Sequence, residues 1–347
     1  MSQRWRRLHP LLAVAALALV AGCARQPREI VLTGPTMGTT WSLRAVPDTA
    51  DLPSEAVRAL VQDALEEVDA ALSTYRPDSD VSRFNSSTST DWIAVPAPLA
   101  ELVAESLRIG TLTGGAFDVT VAPLVTLWGF GRGMPREVPP RDADIAAAQA
   151  LTGQRHLQVR LDPPALRKAL PGLTLDLDAI APGYAVDLVA ARLEAAGIGR
   201  YMVEIGGEVR VHGRNREGAR WRIGIERPEE RGRSVGRVLH LEAMAVSTSG
   251  DYRDFFESGG IRYSHTLDPQ SGRPVTHGLA SVTVLRPTAT EADGLATALS
   301  VLGPAAGFDL AERQGWAALF VERTSTGLGQ RETTAFQRAA QAGESAP

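Results

Sequence analysis

Helical stretches and β-like runs share this sequence without alternating, and that order limits what the chain can fold into. Behind Ser54, the apolar residues Val57, Leu60, Val61, Ala64, Leu65, Val68 and Leu72 recur at three- and four-residue spacing. This predicts a capped amphipathic helix packed on a core. Leu99, Leu102, Val103 and Leu107 predict a second helix ending at Gly114-Gly115, and residues 184–196 a third, stopped by Gly197. A fourth is expected over residues 291–302, closed by Gly303-Pro304. β-like runs fall at residues 202–205, 221–225, 238–241, 261–267 and 282–285. Strands that follow one another without helices between them do not suit a doubly wound sheet. The expected class is α+β, with mixed, largely antiparallel sheets and packed helices.

The ends of the chain suggest where it works. Residues 1–10 hold three arginines, residues 11–20 form an apolar run, and Ala21-Gly22-Cys23 follows. That is a three-part signal peptide, too short to span a bilayer as a mature helix. Val20-Ala21-Gly22-Cys23 resembles a bacterial lipobox, in which the cysteine becomes the acylated first residue. Residues 1–22 are then a leader and 23–30 an acylated N-terminus and tether. The domain covers 31–323, and 324–347, poor in apolar periodicity, are expected to be a partly disordered tail. Two or more acyl chains hold a soluble domain stably on a membrane, here on the periplasmic side. Cys23 is the only cysteine, which excludes a disulfide framework, a CxxC redox pair and a thiolate zinc site. Without the leader's three arginines the chain carries 33 basic against 40 acidic residues, so bulk charge disfavours nucleic-acid binding.

Four clusters of glycine, small hydroxyl and acidic residues interrupt the apolar pattern where a scaffold can present groups to a ligand. The first runs from Gly114-Gly115-Ala116-Phe117-Asp118 to Leu127-Trp128-Gly129. Its glycines allow close approach of backbone to a flat ligand, and Phe117 and Trp128 offer apolar faces. A turn beside a core aromatic would look the same. The second, Leu175-Asp176-Leu177-Asp178-Ala179-Ile180-Ala181-Pro182-Gly183, reads as a strand feeding a helix whose N-terminus favours anions. Many capped helices share that pattern. The third joins Ser249-Gly250-Asp251 to His265 and the Asp268-Pro269-Gln270 turn. A solitary histidine is more often structural or exposed than catalytic. In the fourth, Asp293 and Thr297 stand four apart on one helical face, where a carboxylate and a hydroxyl suit a hard cation such as Mg²⁺. A capping aspartate with a core-facing threonine is the structural alternative. Neither a Walker loop nor a dinucleotide fingerprint in a strand-to-helix setting is present.

The order of these motifs resembles the ApbE family, FAD:protein FMN transferases that are often periplasmic lipoproteins. The matching pieces are Met37-Gly38-Thr39, residues 73–85, 115–131 and 175–187, Glu204-Ile205-Gly206-Gly207-Glu208, Ser249-Gly250-Asp251-Tyr252-Arg253, and residues 263–274 and 292–303. The 325 residues left without the leader suggest about two lobes, with the flavin site expected between them. The resemblance implies a Mg²⁺-dependent enzyme that cleaves the FAD diphosphate, transfers FMN to a Ser or Thr hydroxyl of a partner flavoprotein, and releases AMP. The partner would be a subunit of a membrane redox complex. Met37, Tyr75, Ala116, Phe117, Asp118, Asp176, the position of Pro182 and the backbone at Leu267 would form the flavin site. Asp293, Thr297 and the main-chain oxygen of Ala179 would hold Mg²⁺. Pro182 stands where relatives usually carry a long polar or charged side chain, often Lys, and Asp178 replaces a small residue, so a flavin contact is lost. His265 has the intrinsic pKa range to accept the acceptor's proton, with Asp268 or Asp251 as substitutes. Water as nucleophile would make the chain an FAD pyrophosphatase, and binding without cleavage a flavin-carrying lipoprotein.

Overall fold

The computed structural model describes residues 28–48, 52–131, 136–229, 232, 234–251 and 255–344. The expected leader, Cys23 and most of the tether lie outside the described residues, as do Tyr252, Arg253 and the last three positions.

Eight strands build the main sheet. Their order is β1 (Ile30–Thr36), β2 (Thr39–Ala45), β6 (Tyr201–Ile205), β7 (Glu208–His212), β10 (Ala243–Gly250), β15 (Leu279–Arg286), β16 (Ala317–Thr324) and β17 (Gly327–Glu332). Every neighbouring pair is antiparallel. Met37 and Gly38 make the β1–β2 turn with φ of 42° and 72°, the left-handed pair that a two-residue hairpin loop needs. A separate hairpin joins β8 (Trp221–Glu226) and β9 (Val235–Leu241). Smaller sheets comprise β3 (Ile93–Ala94), β5 (Pro164–Lys168) and β4 (Leu157–Leu161), then β11 (Phe255–Ser258) with β12 (Ile261–Ser264), and β13 (Leu267–Asp268) with β14 (Arg273–Pro274). The helices are α1 (Ser54–Leu72), α2 (Asp80–Ser86), α3 (Ala97–Leu112), α4 (Ala122–Trp128), α5 (Asp142–Gln149), α6 (Ala181–Ala195), α7 (Ala289–Gln314) and α8 (Thr334–Glu344). The class is α+β, as the element order predicts.

Period-two alternation gives the sheet two apolar faces. On one, Leu43, Val203, Ile205, Val282 and Val284 join Leu65, Val189 and Leu295 of α1, α6 and α7 in the largest core. On the other, Val211, Val246, Leu285 and Leu319 pack with Ile223 and Leu239 of the β8–β9 hairpin and Phe336 of α8. The molecule is therefore layered: helices, sheet, then hairpin and last helix.

Five expectations need correction. Ser54 does not cap α1: extended Pro53 precedes the helix, its carbonyl accepts from Ala56 and Val57, and Ser54 is already the first helical residue. Residues 175–178 are not a strand but a turn-rich approach to α6. The run over 261–267 splits into β12 and β13, with His265 between them. The tail is ordered over its described part. β17 extends the sheet, and Phe336 and Ala340, four apart on α8, supply a buried stripe that sequence periodicity alone did not reveal. The predicted stop at Gly303-Pro304 is a break rather than an end. Gly303 adopts φ 78° and ψ −176°, and helix resumes to Gln314.

Candidate active site

Helix α7 carries the centre of the site, and α6 fixes where it starts. Asp187 of α6 accepts hydrogen bonds from Ala289 N (2.9 Å), Thr290 N (2.8 Å) and the Thr290 hydroxyl (2.6 Å). Its charge is matched by Arg210 at 2.8 Å. These donors are the otherwise orphaned amides of the first turn of α7. One turn on, Asp293 Oδ2 accepts from Gly183 N at 3.0 Å. A Cβ on Gly183 would stand 2.5 Å from the Ala289 carbonyl oxygen, so only glycine lets the two helices meet this closely.

A cavity of about 500 Å³ opens beside Asp293. Tyr75, Ala116, Phe117, Asp118, Asp176, Ala179, Pro182, His265, Leu267, Asp293 and Thr297 all line it, although they come from five separate stretches of sequence. Met37 does not; it lines an adjoining cavity of about 630 Å³ that shares Tyr75, Asp178 and Pro182 with the first. Both volumes fall in the range of cofactor and substrate sites. Pro182 occupies the second position of α6 and turns a surface without donors toward both cavities.

Several side chains are committed locally. Asp118 accepts from Thr120 N, the Thr120 hydroxyl and Gln154 N, which fixes the loop that presents Phe117. Trp128, expected to offer a ligand face, is buried. Its Nε1 donates to the Gly272 carbonyl at 2.9 Å and its ring stacks on Tyr263, so it braces the 263–274 segment instead. Asp251 is held by Arg323 at 2.7 Å, and Asp268 accepts from Gln270 N and Ser271 N; neither carboxylate lines the cavity. His265 does, with Phe130 edge-on at 6.4 Å.

Residues 37–320 match the ApbE family's sequence profile. The chain belongs to the ApbE family. An FAD:protein FMN transferase of Vibrio cholerae is 43% identical over 327 residues, covering 94% of this chain and 97% of that one. The corresponding enzyme of Haemophilus influenzae is 41% identical over 333 residues, with 94% and 96% covered. Among solved structures, flavin transferase ApbE from Vibrio cholerae superimposes with TM-score 0.83 at 42% identity, covering 90% of this chain and 99% of that one. Flavinyl transferase ApbE from Pseudomonas stutzeri, in its apo form, reaches 0.85 at 46%, covering 92% and 99%.

Two carboxylates in this ApbE-family site compete for one donor. The Ser247 hydroxyl lies 3.3 Å from Asp293 Oδ1 and 3.5 Å from Glu208 Oε1, yet has a single proton to give. Burial, and then the neighbouring Glu208 charge, pushes Asp293 well above the usual carboxylate range. Burial, reinforced by Glu204, pushes Glu208 up to about 7. Across the cavity, burial raises Asp176, and burial with the Asp176 charge raises Asp178 to about 7. Among the described residues, no group of three or more His, Cys, Asp or Glu converges as a metal site. The donors present are all oxygen: the Asp293 carboxylate, the Thr297 hydroxyl, which lies 3.1 Å from the Ser249 hydroxyl, and main chain at Ala179. Hard, oxygen-preferring Mg²⁺ fits that chemistry and would relieve the buried negative charge. Glu208, Ser247 and Asp187 received no role from sequence reasoning; the acidic residue directly after Gly206-Gly207 was the available signal for the first.

Proposed function

We propose that this chain transfers FMN from FAD to a Ser or Thr hydroxyl of a partner flavoprotein and releases AMP. The observation that carries this reading is the meeting of Asp293, Thr297 and Ala179 with His265 and Phe117 around one cavity of flavin-site size. Relatives named FAD:protein FMN transferases support it. Asp293, Thr297 and the Ala179 carbonyl would hold Mg²⁺. When bound, Mg²⁺ neutralises charge on the diphosphate and on the AMP leaving group. Phe117 and Tyr75 would bound the flavin, and Asp118, locked by Thr120 and Gln154, would keep that wall in place. The acceptor oxygen forms a bond to the FMN phosphorus, the bond from that phosphorus to AMP breaks, and His265 takes the hydroxyl proton.

The test is incubation with FAD, Mg²⁺ and candidate acceptor subunits of membrane redox complexes, read by flavin fluorescence in a denaturing gel. Covalent flavin is expected on one acceptor, with AMP released in equal amount. Asp293→Ala should reduce transfer by roughly a hundredfold or more, and His265→Ala should slow it at saturating FAD. AMP release with no labelled acceptor would make the chain a pyrophosphatase, and tight FAD binding without AMP a carrier.

The proposal includes its place: acylated Cys23 holds the domain on the periplasmic side of a bacterial membrane. Cys23→Ser should move the protein from the membrane to the soluble fraction. Retention on membranes by that variant would rule the anchor out.

A further inference from the structure

The main sheet is notched beside the active site. Pairing of β7 with β10 ends at Val209↔Val246, whereas β10 stays paired with β15 as far as Gly250↔Ser281. Among the described residues, no strand lies beside Ser247–Gly250 on the β7 side. The cause is the β6–β7 turn, where Gly206 and Gly207, at φ 66° and 115°, end the hairpin short of the β10 terminus. Alternation along β10 sends Ser247 and Ser249 toward α7 and Val246 and Thr248 to the opposite face.

A third cavity, of about 400 Å³, occupies that opposite face. It shares Gly206, Thr248 and Gly250 with the Asp293 cavity, so the two meet through the notch. Its other walls include Thr40, Glu204, Ile223 and Glu226. None of the positions expected to touch flavin lines it. A site continuous with the reaction centre but walled off from the first substrate's contacts has the properties needed to admit the second.

We infer that this groove docks an extended segment of the acceptor protein and delivers its hydroxyl residue through the notch to the Asp293 cavity. The inference rests on the transferase reading above. Two features define the occupant. Among the described residues, β8 pairs only with β9 and β10 has no strand partner on one side past Val246, so strand-like backbone finds edges to pair with here. The Glu204 carboxylate on this wall favours a segment that carries a basic side chain. Gly207 keeps the entrance low, since a Cβ there would have no atom within 4 Å and would project into open space.

The probe is the acceptor protein that takes up flavin in the gel assay, together with a synthetic peptide spanning its modified residue. Thr40→Trp and Glu226→Lys, both outside the flavin cavity, are each expected to raise the KM for acceptor about tenfold. The FAD dissociation constant and kcat at saturating acceptor should remain within about twofold. A photo-crosslinking residue at Thr40, which is exposed, should capture the peptide. An unchanged acceptor KM in both variants overturns the groove while leaving the transferase reading intact. Failure of the unmodified chain to flavinylate any acceptor overturns the transferase reading itself.

Discussion

At the residue scale, the site is governed by how few donors its buried carboxylates are given. Glu208 sits 9% exposed, shares one hydroxyl with Asp293, and is raised by burial to about 7 from an ordinary 4.5. The folded chain therefore keeps a proton that the unfolded chain releases. Stability of the metal-free protein is full below about pH 4.5 on this account, falls as pH rises toward 7, and levels above it. Glu208→Gln should flatten that slope by an amount on the order of 2 kcal/mol, measured as the difference in unfolding free energy between pH 5 and pH 8 with chelator present. A slope identical to that of the unmodified chain would show that the Glu208 proton is not held by the fold. At this scale the sequence was informative wherever the chemistry was local. Asp293 and Thr297 announce themselves by spacing on one helix, but the Ser247–Glu208 contact joins residues 39 apart and has no periodic signature.

At the element scale, the placement of α7 decides how Asp293 and Thr297 meet the cavity, and α6 decides that placement. The helical patterns of α1, α3, α6 and the first part of α7 were legible because each repeats buried apolar residues at helical spacing. The short helices α4 and α5 were not, having only seven and eight residues and little apolar periodicity. The 175–178 segment was misread because its alternating Leu175 and Leu177 are buried like strand residues while its backbone turns into α6. Asp187 ties the two helices together, half its environment being amides of α7 and the other half Arg210. Asp187→Ala leaves the partly buried Arg210 guanidinium with only Glu194, at 3.5 Å, and takes away the acceptor of the Ala289 and Thr290 amides of α7. It should cost about 3 kcal/mol in denaturant unfolding and weaken FAD-dependent transfer together with stability. Loss of transfer without loss of stability would instead place Asp187 in direct contact with substrate.

At the scale of the whole molecule, the three layers divide the labour. The helical face holds the Asp293 cavity, while the β8–β9 hairpin and α8 close the opposite face of the same sheet. Class and strand direction followed from the order of elements, but the sheet's membership did not. Placing β2 beside β6 requires pairings across more than 150 residues, which no local pattern encodes. The C-terminal segment shows the same limit. Its apolar content is low because the hairpin supplies most of the contact, and a few anchors suffice. Phe336 is fully buried among Ile223, Leu239 and Leu319, and Thr333 beside it donates to the Trp316 carbonyl and accepts from Ala318 N. Phe336→Ala should therefore cost about 3–5 kcal/mol of unfolding free energy, the range for emptying a core aromatic site. Because that cluster lies across the sheet from Asp293, the FAD dissociation constant measured below the unfolding transition should stay within twofold. A variant as stable as the parent would mean that α8 is not docked on the sheet in solution. A stable variant with weakened FAD binding would mean that the two faces are coupled through the sheet, whose strands β10, β15 and β16 each contribute to both.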